Sequence, residues 1–187
     1  MMELKGTKIY LRQIHQSDMP QIHQAHEDEE LRYLTHTKES YTLKEMTKRY
    51  KQLRKDATRE DFSICVTDSN QLIGDLTLFA IDLESKKARF RLTLHDKNYQ
   101  NKGYGTEVVT LVQDFVFKEL KLNRLEAEVL SHNSQGIHLF AQTGFKQEGV
   151  LRQFVYLNHQ YSDNILMAMI RVDYHQARRV PYEMITI

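Results

Sequence analysis

The 187-residue chain holds one cysteine, two prolines and no tryptophan, and its formal net charge is only +1. A lone Cys65 excludes an intrachain disulfide. Its setting in "FSICV" (62–66) predicts a buried, inert thiol rather than a nucleophile. No apolar run approaches a membrane span, and "MMELKGTKIYLRQ" lacks the apolar stretch of a signal peptide. The expected location is therefore cytoplasmic, with no membrane partner. The near-zero net charge argues neither for nor against a polyanion. The basic groups Arg49, Lys51, Arg54 and Lys55, and Lys86 to Arg91, read as solvated faces, so no nucleic-acid partner is expected. His23 and His26 have the spacing of two metal ligands, but two do not make a site, and no metal is assigned. The chain shows no internal repeat, low-complexity tract or linker.

What is present is an ordinary globular balance, 41% hydrophobic and 27% charged, at a length that suits one domain. "TKIYLRQI" (7–14) alternates as a half-buried strand. Ser17 and Asp18 offer N-cap chemistry before a helix with Pro20 in its first turn. Leu43, Met46, Tyr50 and Leu53 predict a second helix over about 42–56. Strands are expected over 61–67, 71–81, 86–95 and 124–130, with "DSN" turning the first pair. Val108, Val109, Val112, Phe115 and Val116 mark a helix from Thr106 to about Glu119. Another helix should run from Ser134 to about Thr143, stopped by Gly144. Strands over about 145–157 and 161–171 close the pattern as a hairpin about "LNHQ". Tyr182, Met184 and Ile185 in the patternless tail could pack locally or bind a neighbouring subunit. This order implies an α/β sandwich around one mixed sheet.

The chemistry concentrates in "YQNKGYGTE" (99–107), where a strand passes through two glycines into a helix. Backbone N–H groups at a helix start lack intrahelical partners, and the helix dipole favours an anion there. Gly103 and Gly105 keep side chains out of the approach, Lys102 adds positive charge and Thr106 is a candidate cap. The pattern is neither the Gly-Lys-Ser/Thr triphosphate loop nor the full dinucleotide fingerprint, whose third glycine is here Val108.

With its surroundings the loop resembles the acetyl-CoA motif Gln/Arg-x-x-Gly-x-Gly/Ala of the GNAT (Gcn5-related N-acetyltransferase) superfamily, through Gln100, Gly103 and Gly105. "LNRLEAEVLSHNSQGIHLFAQTGFKQEGVLR" (122–152) is similar to that family's strand, Asn-bearing helix and Gly-Phe turn. "IYLRQIHQSDMPQIHQAHED" and "FVYLNHQYSDNILMAMI" resemble the branch of ribosomal-protein N-terminal acetyltransferases and bacterial spermidine acetyltransferases. The likeness covers roughly 7–172. It implies a single acetyltransferase domain over 1–187, with a core of about 7–172 and a tail of about 173–187. It also implies a GNAT-like, mostly antiparallel mixed sheet flanked by helices.

The resemblance further implies that Leu92, Thr93 and Leu94 offer backbone to pantetheine. Gln100, Asn101, Lys102, Gly103, Tyr104, Gly105 and Thr106 would hold the pyrophosphate. Asn133 would contact pantetheine or the thioester, cap the following helix, or do both, whereas His132 reads as a solvent-facing loop histidine. Acetyl-CoA is the expected donor, no metal is needed, and the acceptor is a primary amine on a protein N-terminus or a polyamine. The acid run Glu27 to Glu30 could recruit a cationic polyamine, although such runs are usually solvated helix ends. Arg32, Tyr33, Tyr41, Arg89 and Tyr156 are candidate acceptor-site residues. The acceptor should lie between the early helices and the last hairpin, and that hairpin with the tail could form a homodimer surface.

Two departures stand out. By that resemblance, Phe140 stands where many relatives have a proton-donating tyrosine, and Arg89 where many have a glutamate suited to general-base work. Tyr99, Tyr104, His138 and Tyr156 are candidate acids, and Asp75, Glu39 and Asp82 candidate bases. Asn133, Tyr104 and Tyr156 head the candidates for a direct catalytic role. A non-catalytic acyl-CoA-binding or sensor protein is the alternative, and an interaction domain without a ligand ranks behind both.

Overall fold

The computed structural model describes residues 3–35 and 37–178; the tail residues Tyr182, Met184 and Ile185 lie outside them. Among these residues eight strands form one sheet in the order β1-β2-β3-β4-β5-β6-β8-β7. They are β1 (Glu3–Lys5), β2 (Ile9–Gln13), β3 (Glu60–Val66), β4 (Leu72–Asp82), β5 (Lys87–Leu94), β6 (Arg124–Leu130), β7 (Lys146–Leu157) and β8 (Gln160–Ile170). Every neighbouring pair is antiparallel except β5 with β6. That parallel pair holds only from Lys87–Arg124 to Arg89–Glu126. Beyond Arg89 the two strands part, and the sheet opens into a V.

Period-two alternation divides the sheet into two faces. Ile9, Leu11, Phe62, Ile64, Leu76, Leu78, Phe90 and Leu125 point to one face and pack beneath α4 (Tyr104–Asp114) and α5 (Ser134–Gln142). Val108, Val109, Val112 and Phe140 come down from those helices, and Phe140 meets Phe90 edge-on at 5.5 Å. The other face is covered over β2 to β4 by α1 (Met19–His26) and α3 (Leu43–Leu53), where Met19, Ile22 and Tyr50 enclose Cys65. The thiol is fully buried, as its apolar setting predicts. α2 (Glu29–Thr35) follows α1 after a two-residue break. No helix among the described residues is long and apolar enough to cross a membrane.

Several local expectations are corrected. The helix after the glycine loop starts two residues before Thr106, with Gly103 as N-cap at φ +84°, so Thr106 sits inside the first turn rather than capping it. The same helix ends in a π turn, Phe115–Glu119, with Leu120 N–H donating to Phe115 O at 2.9 Å. The extra residue per turn puts Phe115, Val116 and Phe117 all into the core. Asp18 does not cap α1 with its side chain. Its carboxylate, 8% exposed, instead accepts from both terminal nitrogens of Arg12 (2.7 and 2.9 Å), from His15 N–H and from the Ser63 hydroxyl (2.8 Å each). Strand β1 and helix α6 (Arg171–Ala177) were not expected. β1 has exposed ends and no apolar alternation, and α6 begins directly where the apolar run of β8 stops.

Candidate active site

The open V and the glycine loop are two ends of one feature. β5 leaves the V through a short 3₁₀ turn, Lys97–Tyr99, and the loop then reaches α4. Asn101 at φ +56° and Gly103 at φ +84° both take left-handed backbone, which bends the chain so that α4 points its N-terminus back toward the strand. No described group accepts from Tyr104, Gly105 or Thr106 N–H, and these three aim outward together. A Cβ at Gly105 would stand 3.2 Å from Leu139 of α5, so the glycine keeps α4 and α5 close as well as keeping the loop bare.

Two residues missed by the sequence reading complete the cradle. Lys8 Nζ donates to Lys102 O at 3.1 Å, which sets a second ammonium beside the loop. Glu107, in the first turn of α4, accepts from Thr7 N–H and from Lys8 N–H (3.0 Å), and a Cβ at Gly6 would overlap that carboxylate. The β1–β2 hairpin is thereby pinned to α4. Lys8 comes from a position 94 residues distant from Lys102, and nothing local marks it.

Across the mouth of the V runs α2, tied at both sides. Glu30 forms an ion pair with Lys97, just beyond β5. Tyr33 stacks on His132, just beyond β6, with ring centroids 4.2 Å apart. His132 is therefore no solvent-facing loop residue. Its Nε2 donates to Tyr33 O at 3.0 Å and its Nδ1 accepts from the Ser162 hydroxyl at 2.8 Å. Next to it, Asn133 caps α5 by accepting from Gly136 N–H at 2.9 Å. Asn133→Ala should lower stability by about 1 kcal/mol, read as a melting-point drop of roughly 2–4 °C. Asn133→Asp should keep the cap and the melting point. A loss of acetyl-CoA affinity in that variant would reveal the amide's separate contact with the donor.

The remaining candidates fall in different places. Leu92, Thr93 and Leu94 line the free half of β5, and Gln100, Asn101 and Lys102 the loop itself. Tyr99 and Tyr104 meet edge to face at 5.7 Å beside the cradle. Arg32 lies on α2, donating to Lys38 O at 3.1 Å. Tyr41 is engaged from two sides, its carbonyl by His23 Nε2 at 2.6 Å and its hydroxyl by Arg49 at 3.0 Å. His23 and His26 turn to different partners, and no group of three or more His, Cys, Asp or Glu side chains among the described residues is arranged to hold a metal ion.

Tyr156 lies on the last hairpin, one strand beyond β8. It pairs with Tyr161 near the tip of the β7–β8 hairpin, and β8 stands between β7 and β6. Arg89 is engaged by two carboxylates, Glu126 at 2.9 Å and Glu128 at 3.1 Å, rather than presented as a free cation. Asp82 serves a turn by accepting from Ser85 N–H at 2.7 Å, and Glu39 and His138 are exposed. Phe140 is 7% exposed and brings no acid to the V.

Comparisons with known proteins agree with this geometry. The acetyltransferase (GNAT) domain model matches residues 8–146. The probable N-acetyltransferase YjcK of Bacillus subtilis is 29% identical over 180 residues, spanning 92% of this chain and 99% of that protein. The spermidine N(1)-acetyltransferase of Escherichia coli K12 is 30% identical over 108 residues, 58% of each chain. The crystal structure of spermidine N-acetyltransferase from Vibrio cholerae in complex with CoA and spermine has the same fold, with a TM-score of 0.84. It is 22% identical and covers 91% of this chain and 99% of that one. With the family model spanning most of its length, and its sheet parting before a left-handed glycine loop, the chain belongs to the GNAT family of N-acetyltransferases.

Proposed function

We propose that the protein moves the acetyl group of acetyl-CoA to a primary amine by direct attack, with a polyamine as the first acceptor to test. The observation that supports this most is the continuity of the V with the cradle. A free strand edge at Phe90 to Leu94 runs out toward three unpartnered N–H groups and two ammonium groups. Pantetheine would lie along that edge, and its pyrophosphate would meet Tyr104, Gly105 and Thr106 N–H with Lys8 and Lys102 alongside. The thioester then falls inside the V, on the vertex side of α2.

Positioning supplies much of the rate in such a site. The amine attacks the thioester carbonyl, the C–S bond breaks, and CoA leaves as thiolate. With phenylalanine at 140, that thiolate takes its proton from water or from the attacking nitrogen rather than from a tyrosine at that position.

The polyamine reading draws on the relatives, not on the acid run of α1–α2. Glu27 lies against Ser40 (3.1 Å) and Arg32 (3.8 Å), Asp28 accepts from Leu31 N–H (2.8 Å), and Glu30 holds Lys97. Those three acids already have partners within the chain. A peptide with a free N-terminus is the second acceptor class. Self-association through β7 is supported by its exposed edge, where Phe154 and Tyr156 are more than half exposed.

CoA-thiol release should rise above acceptor-free hydrolysis with spermidine, spermine or an N-terminal peptide. Tight acetyl-CoA binding with no amine-dependent release would instead favour a binding-only, sensor role.

A further inference from the structure

With Arg89 where a glutamate base was expected, the proton of the incoming ammonium needs another acceptor. On the same sheet face, four residue pairs further along the β4–β5 ladder, Asp75 stands opposite Thr93. His95, just past the end of β5, places Nε2 at 2.7 Å from Asp75 Oδ1. His26, the last residue of α1, places Nε2 at 3.7 Å from the same oxygen. Exposure grades outward through the three side chains, from His95 (6%) through Asp75 (15%) to His26 (35%). His95 Nδ1 is buried and unpartnered, and one carboxylate oxygen faces two imidazoles.

Two imidazoles converging on one oxygen make an arrangement for sharing protons rather than for ligating a cation. The cluster also sits where α1 hands over to α2, the helix that crosses the V. We propose, building on the acetyl-transfer reading, that His26 is the general base for the acceptor amine, with Asp75 and His95 as the positioning residues behind it.

The proton balance is direct. With Nε2–H of His26 turned to Asp75, the second imidazole nitrogen takes one proton from the ammonium. The neutral amine attacks the thioester, the C–S bond breaks to release thiolate, and the second amine proton neutralises that thiolate. The imidazolium returns its proton to solvent. Charged groups facing His26 come from three elements. Asp75 on β4 raises its pKa above the ordinary histidine value, working against burial, while Arg91 on β5 and Arg32 on α2 pull the other way. Asp75 itself stays ionised. Burial would raise its pKa, but the hydrogen bond with His95 and the nearby His26 imidazole hold it well below the usual carboxylate range.

The test is the pH dependence of kcat/KM for His26→Gln and Asp75→Asn, with spermidine and an N-terminal peptide as acceptors. Wild type should lose rate on acidification through the histidine range. His26→Gln, at a part-exposed helix end, should abolish that limb and slow transfer about 10²–10⁴-fold near neutrality, with recovery as rising pH frees the amine. Asp75→Asn should shift the limb to lower pH. Acetyl-CoA affinity, read by calorimetry, should stay unchanged in His26→Gln. An acid limb in His26→Gln identical to that of wild type overturns the base while leaving the transferase intact. A wild type inactive with every amine at every pH removes the transferase reading, and the base with it.

Discussion

Gly103→Glu should weaken acetyl-CoA binding by about 100-fold or more, measured by calorimetry. Two separate effects add. Gly103 sits at φ +84°, where an L side chain is strained by roughly 1–2 kcal/mol. Its Cβ would stand 3.4 Å from Lys8 Nζ, so the new carboxylate would capture the cations that serve the pyrophosphate. Losing even one charge-assisted hydrogen bond costs about 1.5–3 kcal/mol. At 1.4 kcal/mol per tenfold, the sum is about two decades. Gly103→Ala isolates the backbone part and should cost about tenfold. Equal affinities for wild type and Gly103→Glu would remove the pyrophosphate from this loop.

The largest stability loss is expected from Asp18→Ala. The carboxylate and Arg12 are both largely buried, at 8% and 19% exposure, and Ser63 beneath them is fully buried. Removing one partner strands the other charge, which typically costs about 3–5 kcal/mol. For a chain of this size that is a melting-point drop of roughly 6–20 °C. The pH dependence follows from the same group. Burial would raise the Asp18 pKa, but Arg12, His15 N–H and Ser63 hold it below the ordinary value. A carboxyl depressed on folding stabilises at pH values above its unfolded pKa and loses that contribution as pH falls through the folded one. Wild type should therefore lose stability as pH drops below about 4, and Asp18→Ala should show a shallower decline. Denaturant midpoints at neutral and acid pH measure both. A variant with wild-type midpoints would show that the Arg12–Asp18 pair contributes nothing net.

These two sites differ in how far the sequence announces them. The loop is local: glycines, a lysine and an amphipathic helix lie within one short stretch, so its placement could be read directly. The strand spans 61–67 and 71–81 fall within a residue or two of β3 and β4 for the same reason, since alternation is a local property. Local chemistry also misled. Asp18 and Thr106 are good cap residues on paper, yet one is drawn away by Arg12 and the other is overtaken by the left-handed Gly103. What could not be read is register. Asp75 and His95 meet only because Asp75 pairs with Thr93, and Lys8 reaches Lys102 only because β2 lies against α4. The place of Tyr156 on the outermost strand is likewise a matter of strand order, with β8 inserted between β6 and β7.

Strand pairing has a last consequence at position 89. The arginine there is clasped by Glu126 and Glu128, and Glu126 also holds Arg124 at 2.6 Å. A glutamate introduced alone at 89 would face both carboxylates without the cation that now separates them. Like charges so placed repel and resist joint ionisation. A single arginine-to-glutamate exchange at 89 would therefore gather three acids in one patch, and an ionised base there would need the neighbouring acids to change as well.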